Sequence, residues 1–450
     1  MIQAFNNDVR CIDVQLKIYF DEEPLIVDKE NYLISFDLLE ELSSDGSTPF
    51  GSISSNELDF SLFNSDDMFT PTNEEGPYYG KIETNTKVEI LVREELSDTD
   101  WIQLGTFYVY DWECNQSNSC VSVTCNDKMQ QLMKLPMPIY MVKQNISVGQ
   151  FLSELFEKVG LKTDEYNIDV NLSKQMLKYA YPLYGNLGLT LADIAMTQLC
   201  YIYVDRNEIL QVKSIKTINN SVTTFSDDNQ ILECKVKQTL LQEHSTVIVT
   251  YCNKSITDNV QMIELNEQNV NPGENEFSNI IIEKGPMFLP AHCLCEGSQD
   301  AYVSAISYTP WDISLNINNT HNKEQEIKIY IYGSVINTDA KAYITGTIEN
   351  LVNRMGELPL EINGEYLDSE EHAKMVRDIM VKYISNPTPI IEMHTRGNPG
   401  VTVGDVISIE NTTNKIQKDV IVLRQDFKFN DGMECTMLCL DKAIVTKAVM

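Results

Sequence analysis

The stretch NELDFSLFNSDDMFTPTNEEGPYYGKIETNTKVEILVR, Asn56 to Arg93, begins and ends as a β-strand. Leu58, Phe60 and Leu62 alternate with polar neighbours at its front, and Val88, Ile90 and Val92 do so at its back, the period-two pattern of a strand with one buried face. Between them lies a loop that holds two prolines, glycines and a Tyr-Tyr pair. Tyr and Phe carry large, stiff contact area at little entropic cost, and proline limits the freedom of a loop before it is bound. The same residues also read as a cap on their own β unit.

The alternation spreads outward from this stretch. It recurs at Ile12, Val14, Leu16, Ile18 and Phe20, from Phe107 to Trp112, and from Val121 to Cys125. Turn-rich segments such as SSDGSTPFGS (Ser43–Ser52) and REELSDTD (Arg93–Asp100) separate the runs. Residues 1–140 are therefore expected to form one antiparallel β domain, a barrel or a sandwich. After Ser147, an N-cap residue type, Phe151, Leu152, Leu155, Phe156 and Val159 fall at helical spacing, and Gly160 ends the run. A second helix is expected from about Thr190, leading into two strands around the polar turn Asp205–Glu208, so residues 145–215 read as a small α/β domain. Strands return from Phe225, with Ile327, Ile329 and Ile331 alternating, and a helix over 369–385 stops before Asn386-Pro387. Residues 216–396 read as a second β-barrel domain carrying that helix, and 397–450 as closing strands with a hairpin turn at Asn430-Asp431-Gly432.

Composition bounds the chemistry. The 450 residues are 43% hydrophobic and 22% charged, ordinary globular usage, and at about 150 residues per domain they make about three domains. Thirty-four basic against 66 acidic residues leave a formal charge of −32, with no basic stripe to grip a phosphate backbone. An acidic wall can serve nucleic acid in the opposite sense, by letting it slide past. The eleven cysteines, with no secretory leader at Met1, are expected to be free thiols, and no apolar run reaches the roughly 18–20 residues of a membrane helix.

Catalytic signatures are missing. In HCLCE, His292, Cys293, Cys295 and Glu296 are zinc ligand types, but the second pair at CxxC or HxxxH spacing is absent. His372 in EEHAKM has no second histidine one turn on, and carboxylate pairs such as Asp66-Asp67, Glu74-Glu75 and Glu370-Glu371 are too common here to mark a glycosidase. No GxSxG, phosphate loop or dinucleotide fingerprint occurs. The expectation is a protein that is not an enzyme and uses no cofactor or metal.

The opening stretch then carries a resemblance. NELDFSLFN, SDDMFTPTN, GPYYGKI and TKVEILV resemble the N-terminal region of phage tail hub, or baseplate hub, proteins. Members often carry Asn-x-Asp-Gly-x-Phe-x-Pro-x-Asn followed by Ser-Pro-Tyr-Tyr-Gly-Lys. Phe69, Pro71, Asn73, Pro77, Tyr78, Tyr79, Gly80 and Lys81 hold the matching positions, while Asp67 stands at the Gly of the Asp-Gly step and Gly76 where Ser is frequent. In order along the chain, GTFYVYDWECNQSNSCVSVTCNDKMQQLM, LTLADIAMTQLCYIYVDRNEILQV, and GNPGVTVGDVISIEN with VIVLRQDFKFNDGMECTMLCL are similar to later segments of the family.

The resemblance implies a mainly β (α+β) fold, with two tail-tube-like antiparallel β-barrels and a small inserted α/β domain. It implies a homotrimeric ring that fits a sixfold tail tube to a threefold tip and continues the DNA channel, with an acidic lumen and no sequence-specific grip on DNA. Its partners would be a tail tube or distal tail protein above and a tip, spike or tape-measure protein at the ring. The protein would be made in the host cytoplasm and reside in the tail tip of a virion or a tail-like bacteriocin. Within that ring Phe69, Pro77, Tyr78, Tyr79, Gly80 and Lys81 are the candidate partner contacts. Two alternatives compete with this expectation. A tail-associated wall-cleaving enzyme is disfavoured because LCLDKAIVTKAVM follows the closing strands directly, and a carbohydrate-binding module because only Trp101, Trp112 and Trp311 offer indole platforms.

Overall fold

The computed structural model describes residues 5, 7, 9–42, 51, 53–96, 100–115, 119–237, 244–282, 284–386 and 390–449. Most of the SSDGSTPFGS turn, Ser97 to Thr99 of REELSDTD, Met1 and Pro387 lie outside the described residues.

The chain opens with β1 (Ile12–Ile18), β2 (Leu25–Asp28), β3 (Leu33–Glu41), β4 (Glu57–Phe63), β5 (Lys87–Glu94), β6 (Ile102–Asn115), β7 (Cys120–Asn126) and α1 (Lys128–Lys134). An α/β stretch follows: β8 (Lys143–Ser147), α2 (Val148–Lys158), β9 (Tyr166–Ile168), β10 (Met176–Ala180), α3 (Leu187–Gln198), β11 (Cys200–Val204) and β12 (Leu210–Ser214). Then come β13 (Ser221–Ser226), β14 (Ile231–Lys237) and β15 (Thr246–Cys252). A run of long strands leads outward and back: β16 (Ser255–Val270), β17 (Gly273–Ile281), β18 (Met287–Glu296), β19 (Ala301–Tyr308), β20 (Asp312–Asn319) and β21 (Gln325–Asn337). The chain finishes with β22 (Lys341–Thr347), α4 (Glu349–Met355), β23 (Pro359–Asn363), α5 (Glu370–Ser385), β24 (Ile390–Thr395), β25 (Val406–Asn411), β26 (Ile416–Asn430), β27 (Gly432–Asp441) and α6 (Lys442–Val449). The fold is mainly β with a small α/β unit, as the sequence implied.

Thirteen strands share one sheet, in the order β14-β24-β27-β26-β3-β4-β7-β6-β5-β1-β2, with β25 beside β26 and β13 beside β25. The first seven strands and the closing strands thus meet at β26. Its residues Ile416 to Ile421 pair with β25 and Arg424 to Phe429 pair with β3, while β27 runs along most of it. Val420, Ile421, Val422 and Leu423 are all buried, and they alternate between two cores. Val420 and Val422 face the core of the large sheet, whereas Ile421 and Leu423 face the core under α5 and α6. An uninterrupted apolar run is what a strand covered on both faces requires. Across the junction Phe36 stacks on Phe429 at 5.6 Å, so one hydrophobic core runs through both β units.

The stretch 216–396, expected as one β-barrel domain, contributes strands to four sheets. Its ends, β13, β14 and β24, return to the large sheet. Its middle forms a sandwich in which sheets β16-β21-β18 and β17-β20-β19 enclose Ile313, Leu315, Ile317, Ile327, Ile329 and Ile331. A third sheet, β22-β15-β23, is backed by α5. The sandwich seats on the α/β unit through Trp311, whose Nε1 donates to the Pro182 carbonyl at 2.7 Å and whose ring meets Tyr181 edge-on at 6.0 Å. In β18, His292 stacks on Tyr332 at the sandwich's outer face, while Cys293 and Cys295 pack against its core, so the strand's pleat separates the HCLCE ligand types.

Local signals place the helices. Ser147 caps α2 by accepting from Gln150 N, and Ser369 caps α5 by accepting from His372 N. The helix expected from Thr190 begins at Leu187, because Asn186 accepts from Leu189 N and sets the start one turn earlier. Helix α1 is capped by Asp127, which is buried and also ties the helix to the residues just before β4: its carboxylate accepts from Met129 N (2.9 Å), Asn56 N (3.0 Å) and Ser55 Oγ (2.7 Å).

Burial pushes the Asp127 carboxyl up to about 6 against these hydrogen bonds. The folded state therefore holds a proton that the unfolded chain, with an ordinary carboxyl, releases near pH 4. The contribution is fully present below pH 4 and is lost as pH rises through about 6. Over that window wild-type protein should lose up to about 3 kcal/mol relative to Asp127→Asn, which cannot titrate. Urea titrations of both proteins at pH 4, 5, 6 and 7 check this, and parallel curves would refute it.

A candidate partner-contact loop

The loop between β4 and β5 is wound by a chain of short turns. Asp67 N donates to Asn64 O (3.4 Å), Thr70 to Asp67 (3.2 Å), Asn73 to Thr70 (3.0 Å), Gly76 to Asn73 (3.0 Å) and Tyr79 to Gly76 (3.3 Å). Every third amide is therefore satisfied within the loop. Asn64, at the end of β4, organises the first turn: its Oδ1 accepts from Phe69 N at 2.9 Å and its Nδ2 donates to Thr70 Oγ1 at 3.0 Å.

Asp67 has φ 56°, the left-handed region. Glycine occupies that region at no steric cost, and Asp is among the few other residues that tolerate it. Gly80 answers the same demand at the far end, with φ 71°.

The loop's aromatics divide between inside and outside. Phe69 is fully buried in the core of the large sheet. Its ring meets Tyr32 edge-on at 5.1 Å and stacks parallel to Tyr78 at 5.9 Å, and its carbonyl accepts from Trp112 Nε1 at 3.0 Å. Tyr78 is partly buried, 4.5 Å from Phe20, and burial raises its phenol above the ordinary range. Tyr79 is 50% exposed, and Pro77, Gly80 and Lys81 are exposed beside it. Lys81 Nζ reaches across to Asp21 Oδ2, after β1, at 2.6 Å.

Of the six residues selected from sequence, the structure therefore gathers Pro77, Tyr79, Gly80 and Lys81 on one exposed tip. It turns Phe69 inward and Tyr78 half inward as the tip's anchor. Sequence reading missed Asn64, Phe20 and Tyr32, which hold that anchor. An Asn directly after a strand and before Ser-Asp-Asp is a turn signal that could have marked the first of them. Among the described residues no group of three His, Cys, Asp or Glu side chains lies close enough to hold a metal.

No family model and no curated protein matches this sequence. Solved structures do match the fold. The 43 kDa tail protein of prophage MuSo2 from Shewanella oneidensis superposes with a TM-score of 0.55 at 10% identity, over 96% of this chain and 99% of that one. A tail protein from Neisseria meningitidis MC58 does so with a TM-score of 0.55 at 9% identity, over 98% of this chain and 99% of that one. At such identity the sequences say little and the shared architecture carries the comparison, and from end to end the chain has the fold of these two tail proteins.

Proposed function

We propose that this protein is a structural hub of a phage tail tip or baseplate, three copies forming a ring that continues the tail tube. The observation that carries the reading is the single sheet in which seven N-terminal and six later strands join through β26. Two β units fused into one body would present six units around a threefold axis. The likeness to two tail proteins over nearly their whole length supports a place in a tail. The −32 charge supports a lumen that repels phosphate and lets DNA pass. On this reading the tail tube or a distal tail protein sits above the ring, a tip, spike or tape-measure protein meets it below, and the virion is where it resides.

Sedimentation or native mass measurement tests the assembly: three times the 51.2 kDa chain is expected, and a monomer at every concentration would overturn it. The loop supplies a finer test. Tyr79→Ala should leave the urea midpoint of the monomer within about 0.5 kcal/mol of wild type, because half the side chain is already in water. It should weaken ring assembly by about tenfold or more if the exposed ring is an interface anchor. Unchanged assembly would return the loop to the role of a cap on its own β unit.

A further inference from the structure

A cleft of about 400 Å³ opens between the middle of β6, the end of β7 and α1, and Tyr110, Asn126, Gln130, Gln131, Asn85 and Lys134 line it. The carboxylate in its lining, Asp127, is already engaged by Met129 N, Asn56 N and Ser55 Oγ. Tyr108 pairs with Asn126 across the strands, which sets Asn126 at the cleft floor beside the start of the helix. Gln130 and Lys134, four residues apart, share one face of α1. Asn85 is held in the left-handed region at φ 65° by its N–H, which donates to Val109 O at 2.7 Å.

The lining is rich in unused polar groups. Among the described residues the side-chain amides of Asn126 and Gln130 have no hydrogen-bond partner in the chain, and Gln131 makes only a long 3.5 Å contact to Asn85 Oδ1. Lys134 has no carboxylate partner among the described residues, although acidic residues outnumber basic ones nearly two to one, and its ammonium lies 5.3 Å from the Tyr110 ring centre. Tyr110 itself is 58% exposed, with the Lys134 ammonium over one face of its ring and much of its surface left in water.

The geometry points to a binding site for a short neutral saccharide. A sugar ring has a C–H face that lies against an aromatic ring, and a rim of hydroxyls that both donate and accept. Primary amides match that rim because each offers two donors and an acceptor, and Lys134 adds a further donor. A volume near 400 Å³ suits one or two sugar rings. The net charge of −32 opposes polyanionic ligands at long range, which selects uncharged sugars. The site does not depend on the ring proposed above, since every group belongs to one chain.

Saturation-transfer NMR of the full chain with glucose, galactose, rhamnose and N-acetylglucosamine at millimolar concentration tests the assignment. At least one sugar should receive saturation, strongest at the C–H protons of one face, and Tyr110→Ala and Gln130→Ala should each weaken binding by about tenfold. Both side chains reach solvent, so neither variant needs to repack a core. No transfer to any of the four sugars, or transfer unchanged in Tyr110→Ala, would overturn the site. Stronger binding of glucose 1-phosphate than of glucose would overturn the neutral class.

Discussion

Replacing Arg206 with alanine should destabilise the protein by about 3 to 5 kcal/mol, far more than a surface ion pair would. Arg206 lies in the turn between β11 and β12, with its side chain 10% exposed, and Glu40 on β3 is 4% exposed. The guanidinium engages the carboxylate as a fork, Nε to Oε1 at 2.7 Å and Nη2 to Oε2 at 2.6 Å. Its remaining donors reach the carbonyls of Pro399 and Val401, the latter at 3.0 Å. One side chain therefore fastens the α/β unit to the first β unit and to the loop before β25. Alanine would leave the Glu40 carboxylate buried with, among the described residues, Gln425 Nε2 at 3.5 Å as its remaining donor. Urea unfolding checks the size of the loss. The double change Arg206→Met with Glu40→Met should recover most of it, because removing both charges removes the desolvation cost as well. A loss below about 1 kcal/mol for the single variant would mean that water reaches the pair.

Phe69→Ala should cost about 3 to 5 kcal/mol, the usual range for a buried phenylalanine. Phe69 touches Tyr32, Tyr78 and Trp112, so its removal opens a cavity between the loop and the sheet beneath it. The loop should be freed along with the core. Chymotrypsin should then cleave after Tyr78 or Tyr79 faster than in wild type, while Phe69→Leu, which fills most of the volume, should lie between the two. Cleavage that does not speed up would show that the turn ladder from Asn64 to Tyr79 holds the loop without its aromatic anchor.

Much of this architecture is written in local pattern. The alternations at Ile12 to Ile18 and at Leu58 to Leu62 become strands whose buried faces are those residues, and Ser147 and Ser369 cap the helices they announce. What the pattern cannot hold is partnership. The strands of the sandwich alternate just as those of the large sheet do, and only long-range pairing separates them. Helix α6 lies where the sequence reads as closing strands, because Ile444, Val445 and Val449 are β-branched and follow directly on a strand. Asp441 turns it into a helix by accepting from Ala443 N at 2.9 Å. In the loop, the chemistry of Phe69, Tyr78 and Tyr79 is legible, yet which of them faces inward depends on Phe20, Tyr32 and Trp112, which lie elsewhere in the sequence.

The strand Ile416–Asn430 borders β25 with its first half and β3 with its second. Tension applied to either partner is delivered to the other along one covalent backbone, through the irregularity between Val422 and Arg424 where the pairing of β26 with β27 shifts register. Pulling the two partners apart means shearing the paired amides on both sides of that irregularity, Ile416 to Ile421 against β25 and Arg424 to Phe429 against β3, so the load is shared between the two halves of one strand.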